Sequence, residues 1–323
     1  MILAGDIGGT KTQLGIFEPD GSKFRFVRKE IYRSQKYSGL GDIISAFVAD
    51  LDSPITAAGF GIAGPIIDGV CNTTNLPWVV SGRQIAEQLS LSSVELLNDL
   101  EAIAYGVALL GPDELITLNE GDTVPGNAGI VAAGTGLGIA NLFWDGERHI
   151  PSASEGGHVD FAPRDQLEFE LLRHLLTKYE RVSVERVVSG PGIFAIYDFL
   201  RTAGYGSESD AIAHRLTQED PSSVVSAAAL SGESPLAAKA LDLFTSLYGA
   251  TAGNLALTIM ATGGIYIGGG IAPKIIEKMK DGTFLGAFLA KGRFTQLMAR
   301  IKVRVILNDE TPLLGAARVA AGG

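Results

Sequence analysis

Two stretches of the chain share one hydrophobic pattern. Ile2–Gly21 (ILAGDIGGTKTQLGIFEPDG) and Ile130–Gly146 (IVAAGTGLGIANLFWDG) each run as an apolar segment, a glycine-rich turn carrying Asp or Thr, a second apolar segment and an Asp-Gly signal. Each therefore predicts a β-hairpin, and together they mark an internal duplication. Ala57–Ile62 reads as a further strand ending in Ala63-Gly64-Pro65, after which Ser81 caps a helix running to Leu89. Val94–Leu97 reads as a strand that stops at Asn98-Asp99, and Leu100, Ile103, Ala104, Val107 and Leu110 then recur at helical spacing. Further on, Asp165 and Glu168 open a helix expected to reach Tyr179, with Leu171, Leu172, Leu175 and Leu176 as its apolar stripe. Pro191, Pro221, Pro235 and Pro312 occupy first-turn positions, where a missing N–H costs nothing. The longest helix is expected from Pro235 to Met260, followed by a glycine-broken strand in Ile265–Pro273 and a helix starting near Pro273. A strand at Ile301–Leu307 and a helix opened by Thr311-Pro312 complete an α/β alternation.

Composition narrows the picture. At 323 residues the chain is long enough for two domains, and 46% hydrophobic against 19% charged residues implies a compact rather than a disordered protein. Thirty-six acidic against 26 basic residues give a net charge of −10, which disfavours nucleic acid as a partner. A single cysteine, Cys71, forms no internal disulfide or zinc thiolate cluster and fits a reducing cytoplasm. The N-terminus lacks the basic and long apolar regions of a secretory signal. The uncharged window Leu255–Ala272 is broken by glycines from Gly263 to Gly270 and reads as a helix end plus a strand, so no membrane partner is expected.

Three glycine-rich turns follow strands: Gly5–Thr10, Gly134–Gly138 and Gly268–Gly270. Such turns offer backbone N–H groups to an anion and jointly suggest a polyphosphate cradle, although each alone also reads as a structural hairpin. No Walker loop is present, and the Gly134–Gly138 turn leads into a strand instead of a dinucleotide-binding helix. Asp6 would face a phosphate site, where a divalent cation could relieve the repulsion, or it caps its own turn. Lys11 reads as an added positive charge or as a solvated strand residue. Asp99, at a strand's carboxyl end beside the amide of Asn98, suits a general base, or it caps the following helix. Ser154–His158 places Glu155 and His158 around a Gly-Gly pair, in a loop too glycine-rich for a helix, where the two side chains could hold neighbouring hydroxyls. Glu185 opens a short helix in Ser183–Gly192, as its dipole favours.

GDIGGT (Gly5–Thr10), GIAGP (Gly61–Pro65), LLND (Leu96–Asp99), GTGLG (Gly134–Gly138), SEGGH (Ser154–His158), VERVVSG (Val184–Gly190) and GGG (Gly268–Gly270) together resemble the bacterial-type glucokinase family over nearly the whole chain. The resemblance implies an α/β, two-domain actin-like ATPase (ribonuclease H-like) fold with an interdomain cleft. Residues 1–109 with 308–323 would form the smaller domain and residues 110–307 the larger. It implies ATP-dependent phosphorylation of the glucose 6-hydroxyl by a cytoplasmic homodimer. Carried over residue by residue, Asp99 is the base, and Asn98, Glu155, His158 and Glu185 are sugar ligands alongside it. Gly5, Asp6, Ile7, Gly8, Gly9 and Thr10 form the ATP phosphate loop, with Asp6 near Mg²⁺, acting indirectly. Thr135 and Gly136 face the phosphates, and Gly268, Gly269 and Gly270 lie towards the adenosine. The related ROK sugar kinases carry a cysteine-rich zinc motif after the equivalent histidine; HVDFAPRD stands there instead, which argues against zinc and against substrates such as N-acetylmannosamine.

Two other classes fit these residues less well. A sugar-sensing regulator on the same fold would need a helix-turn-helix, for which a first strand starting at Ile2 leaves no room. A filament-forming or chaperone ATPase would leave SEGGH and Asn98-Asp99 without a purpose.

Overall fold

The computed structural model describes residues 1–21, 23–73 and 75–322, with all their side chains but those of Lys23 and Ala153. The chain divides into two compact units, Met1–Glu114 with Asn308–Gly323, and Leu115–Leu307.

The first unit is built on β1 (Ile2–Ile7), β2 (Lys11–Asp20), β3 (Lys23–Arg33), β4 (Ala57–Ile62) and β8 (Glu95–Asn98), ordered β3-β2-β1-β4-β8. β1 pairs antiparallel with β2, placing Asp6 opposite Gln13, and parallel with β4. A small sheet of β5 (Ile66–Ile67), β6 (Val70–Asn72) and β7 (Val79–Ser81) comes after β4. Helices α1 (Leu40–Val48) and α2 (Gly82–Leu89) connect the strands, and α3 (Asp99–Val107) leaves β8. As the pattern required, Ser81 caps α2, accepting from Gln84 N–H. Period-two alternation along β1 separates two cores. Leu3 and Ile7 pack with Leu14, Ile16, Phe60 and the inner face of α1, while Ile2 and Ala4 pack with Phe17 and α12 (Thr311–Ala320).

The second unit repeats this plan. Its sheet has the order β12-β11-β10-β13-β14-β9, formed by β9 (Leu115–Asn119), β10 (Ala128–Ala133), β11 (Leu137–Trp144), β12 (His149–Ser154), β13 (Gly264–Gly268) and β14 (Val303–Ile306). β10 is flanked by antiparallel β11 and parallel β13, as β1 is by β2 and β4. Both copies read in the sequence are thus hairpins beside a parallel strand. The helices are α4 (Gln166–Leu176), α5 (Gly190–Thr202), α6 (Asp210–Gln218), α7 (Pro221–Leu230), α8 (Pro235–Thr258), α9 (Ile276–Lys280), α10 (Thr283–Leu289) and α11 (Thr295–Ala299).

Three local expectations change. α4 stops at Leu176 rather than Tyr179, because Lys178 and Tyr179 both turn their N–H groups back to Leu175 O. The helix expected near Pro273 opens as a 3₁₀ turn over Ala272–Ile275 before α9. The Ser154–His158 loop contains a 3₁₀ turn, Gly156–His158. Among the described residues no helix is long and apolar enough to cross a membrane. Gly323, inside the expected smaller domain, lies outside the described residues.

Candidate active site

In the first unit the acidic groups gather at the carboxyl ends of β1 and β8. Asn98, not Asp99, caps α3: its Oδ1 accepts from Leu100 N–H at 3.0 Å, and Glu101 Oε2 accepts from Asn98 N–H at 3.0 Å, closing a capping box. Asn98 Nδ2 also donates to Gly64 O at 3.2 Å, so this side chain fixes the end of β8 against the AGP turn. Asp99 is the first helical residue, half-buried, with Oδ1 accepting from Leu100 N–H at 3.0 Å. Asp6 is the last residue but one of β1, half-buried, and its carboxyl is pushed up to about 6, chiefly by burial, next by the charge of Asp99; Asp309 adds to this and Lys11 opposes it. Asp309 was not singled out in the sequence, yet Asn308-Asp309 stands shortly before α12 much as Asn98-Asp99 stands at the start of α3, which is a readable signal.

The Gly5–Thr10 segment is a tight hairpin connection. Gly8 N–H donates to Lys11 O at 3.0 Å, and Ser34 Oγ donates to Gly8 O at 2.8 Å while its backbone N–H reaches Thr10 O. The amide of Gly8 is therefore spent inside the turn. Gly5 lies within β1, packed on Phe60, and Ile7 is buried in the core, so both shape the strand beneath the turn. Thr10 is exposed.

In the second unit the expected residues converge on the start of β11. Glu185 lies in a 3₁₀ turn, Val184–Arg186, and its Oε2 accepts from Leu137 N–H at 2.9 Å; it serves the Gly134–Gly136 turn rather than only a helix dipole. Gly190 N–H, at the start of α5, donates to Gly134 O at 2.8 Å, and Ser189 caps α5 while its Oγ donates to Glu185 O. Thr135, at the tip, is exposed. The SEGGH turn packs on β11 and beside the Val184–Arg186 turn. Gly157 makes this possible, since a Cβ there would fall 2.0 Å from Leu137 O. Glu155 and His158 stand out from the turn with side chains 80% and 54% exposed and Oε2 to Nε2 3.8 Å apart, open to a ligand. Arg181 holds the loop from below, donating to His158 O and to Asp160 Oδ1 at 2.7 Å each.

Gly268 closes β13, and Gly269 takes φ +80°, where a Cβ would also meet Ala133 O at 2.2 Å; Gly270 is exposed beside it. A residue the sequence did not reveal binds this turn to the other. Tyr248 of α8, fully buried, receives Ala133 N–H on its hydroxyl at 3.1 Å and lies 3.1 Å from the carbonyls of Val131 and Gly268. It anchors the ends of β10 and β13 together, through contacts far apart in sequence that no local pattern encodes.

The glucokinase family model matches residues 3–322. A glucokinase of Nostoc sp. is 43% identical, with 99% of each chain covered. Among solved structures, the glucokinase of an Antarctic psychrotroph aligns with a TM-score of 0.87 at 28% identity, covering 100% of this chain and 99% of that one. A glucokinase from Balamuthia mandrillaris, solved in complex with glucose, aligns at 0.82 with 24% identity, covering 99% and 93%.

Proposed function

Since the chain belongs to the glucokinase family and has the actin-like ATPase fold, we propose that it moves the γ-phosphoryl group of ATP to the 6-hydroxyl of glucose with Asp99 as general base. The observation that carries the assignment is the head of α3. There the capping box of Asn98 and Glu101 fixes the backbone, and Asp99 Oδ1 is oriented by Leu100 N–H, so a carboxylate is presented in one geometry at the end of β8. As the hydroxyl oxygen bonds to phosphorus, its proton passes to Asp99 and the bond to the ADP oxygen breaks. Glu155 and His158, exposed on one turn, accept and donate hydrogen bonds to neighbouring sugar hydroxyls. Glu185 joins them with the carboxylate capacity left after Leu137 N–H, and Asn98 with what its capping bonds leave.

Phosphoryl transfer needs placement and charge neutralisation more than covalent help. In the first unit the Gly8–Thr10 turn, and in the second the Thr135-Gly136 tip with the start of α5 and the Gly268–Gly270 turn, each offer close-approach backbone suited to phosphate in a protein of net charge −10. Among the described residues no three carboxylate, thiol or imidazole groups form a metal cage. That suits Mg²⁺ held through phosphates and waters with one or two carboxylates. Asp6 fits that part, because the burial and the repulsion from Asp99 that raise its pKa are costs of its negative charge that a cation relieves. When bound, Mg²⁺ would neutralise charge on the phosphates.

A coupled assay of ADP release over a panel of hexoses tests the reading. Glucose is expected to stimulate release strongly; release indifferent to sugar would return the chain to the plain ATPases.

A further inference from the structure

Behind the Ser154–Asp160 segment the second unit encloses a recess of about 460 Å³, within the usual range of small-molecule sites. Its walls are mostly apolar, with Ile139, Phe161, Val187, Leu247 and Leu255 among them, and two cations reach into it, Arg164 and Lys291. Arg164 is compensated: its guanidinium pairs with Glu168 and donates to Ser246 Oγ at 2.9 Å. Asp160, also on the wall, is paired with Arg181. Lys291 has only neutral partners. Its Nζ donates to Ala250 O at 3.1 Å and to Asn254 Oδ1 at 2.6 Å, and none of the ion pairs among the described residues includes it. Burial, reinforced by Arg164, pushes its ammonium down to about 8. A half-buried charge without a counter-charge is a desolvation cost left standing, and an anion entering the recess would offset it.

We propose that this recess binds a small amphipathic carboxylate, its head on Lys291 and its apolar body against Ile139, Phe161 and Leu247. At roughly 30 Å³ per heavy atom the space accommodates about 10 to 15 of them. Ser154, Gly156 and Val159 form part of the same wall, so the ligand touches the backbone that carries Glu155 and His158. Occupancy and sugar affinity are therefore linked, in both directions. That linkage rests on the proposed function, whereas binding itself does not.

Octanoate titrated into the full chain without sugar, by calorimetry, provides the test, with octanol and acetate as comparators. Octanoate is expected to bind at least 10-fold more tightly than either, and Lys291→Met to erase its advantage over octanol. Lys291→Arg should preserve binding. It should also remove the loss of affinity expected in the parent between about pH 7 and 9, as the ammonium near Arg164 gives up its proton; Arg164 and Asp160 line the same recess, each with an ion-pair partner of its own. Octanol binding as well as octanoate, no octanoate binding, or Lys291→Met leaving octanoate unaffected would each overturn the proposal. Should Lys291→Met fail to fold, the Arg variant decides, because an unchanged pH profile there also overturns it. With octanoate saturating, the glucose KM is expected to shift; a constant KM despite measured binding would refute the linkage alone.

Discussion

The β1–β2 turn and the β10–β11 turn hold equivalent places in two sheets of like construction, yet their surroundings differ in kind. Around the first lie Asp6, Asp99 and Asp309, and burial, with the charges of Asp99 and Asp309 added, holds Asp6 at about 6. The second carries no acid of its own and is braced from outside, by Glu185 on Leu137 N–H, by Gly190 N–H on Gly134 O, and by the Tyr248 hydroxyl at the end of β10. The frame thus recurs in both units, while the groups that set its two turns apart lie partly outside the repeat: Asp99 of α3 and Asp309 in one unit, the Val184–Arg186 turn and α5 in the other. Likeness of fold is no guide to likeness of role.

That contrast is open to direct attack. The largest effect is expected from Asp99→Asn, which keeps shape but accepts no proton: kcat should fall by about 10²-fold or more, with glucose binding retained by calorimetry. Undiminished kcat would reduce Asp99 to a helix residue and make the two turns chemically alike. Next comes the charge at β1. Asp6 has a folded pKa of about 6 against an ordinary 3.8, so between those values the native state binds more protons than the unfolded one. Stability therefore falls as pH rises from about 4 to about 6, and the full penalty stands above that window. Asp6→Asn should stabilise the metal-free protein by on the order of 2 kcal/mol at pH 7 and by nothing near pH 3, while impairing turnover. Denaturant titrations at the two pH values measure it, and an equal gain at both would discard the electrostatic account. The smallest effect concerns the brace. Glu185→Ala leaves Leu137 N–H without its acceptor and should cost about 1–2 kcal/mol, most of it recovered in Glu185→Gln, whose oxygen still accepts. Thermal unfolding separates the two variants, and equal losses would show that charge, not the acceptor, matters there.

Much of the frame was legible because it is locally encoded. Ala57–Ile62 emerged with the bounds its pattern gave, and Ser81, Asp165 and the four prolines stand at helix starts as read. Elements without a strong local signal escaped. β3, KFRFVRKEIYR, is an edge strand whose many charges hide the alternation of Phe24 and Phe26. The site divides in the same way. The approach of Glu185 to Leu137 and the grip of Tyr248 on Ala133 and Gly268 are products of tertiary packing, and no spacing rule announces them. Asn98 taking the cap, and leaving Asp99 inside the helix, was undecidable from two adjacent cap-forming residues.

The return of α12 to the first sheet has an effect on biosynthesis. Leu313, Ala316 and Ala317 are the partners of Ile2, Ala4 and Phe17, so one flank of the earliest strands stays bare until α12, about 300 residues later, has emerged from the ribosome. The second unit, continuous in sequence, has all its segments available sooner. A chain lacking the segment from Thr311 onward would leave that apolar flank of the sheet uncovered and prone to aggregate.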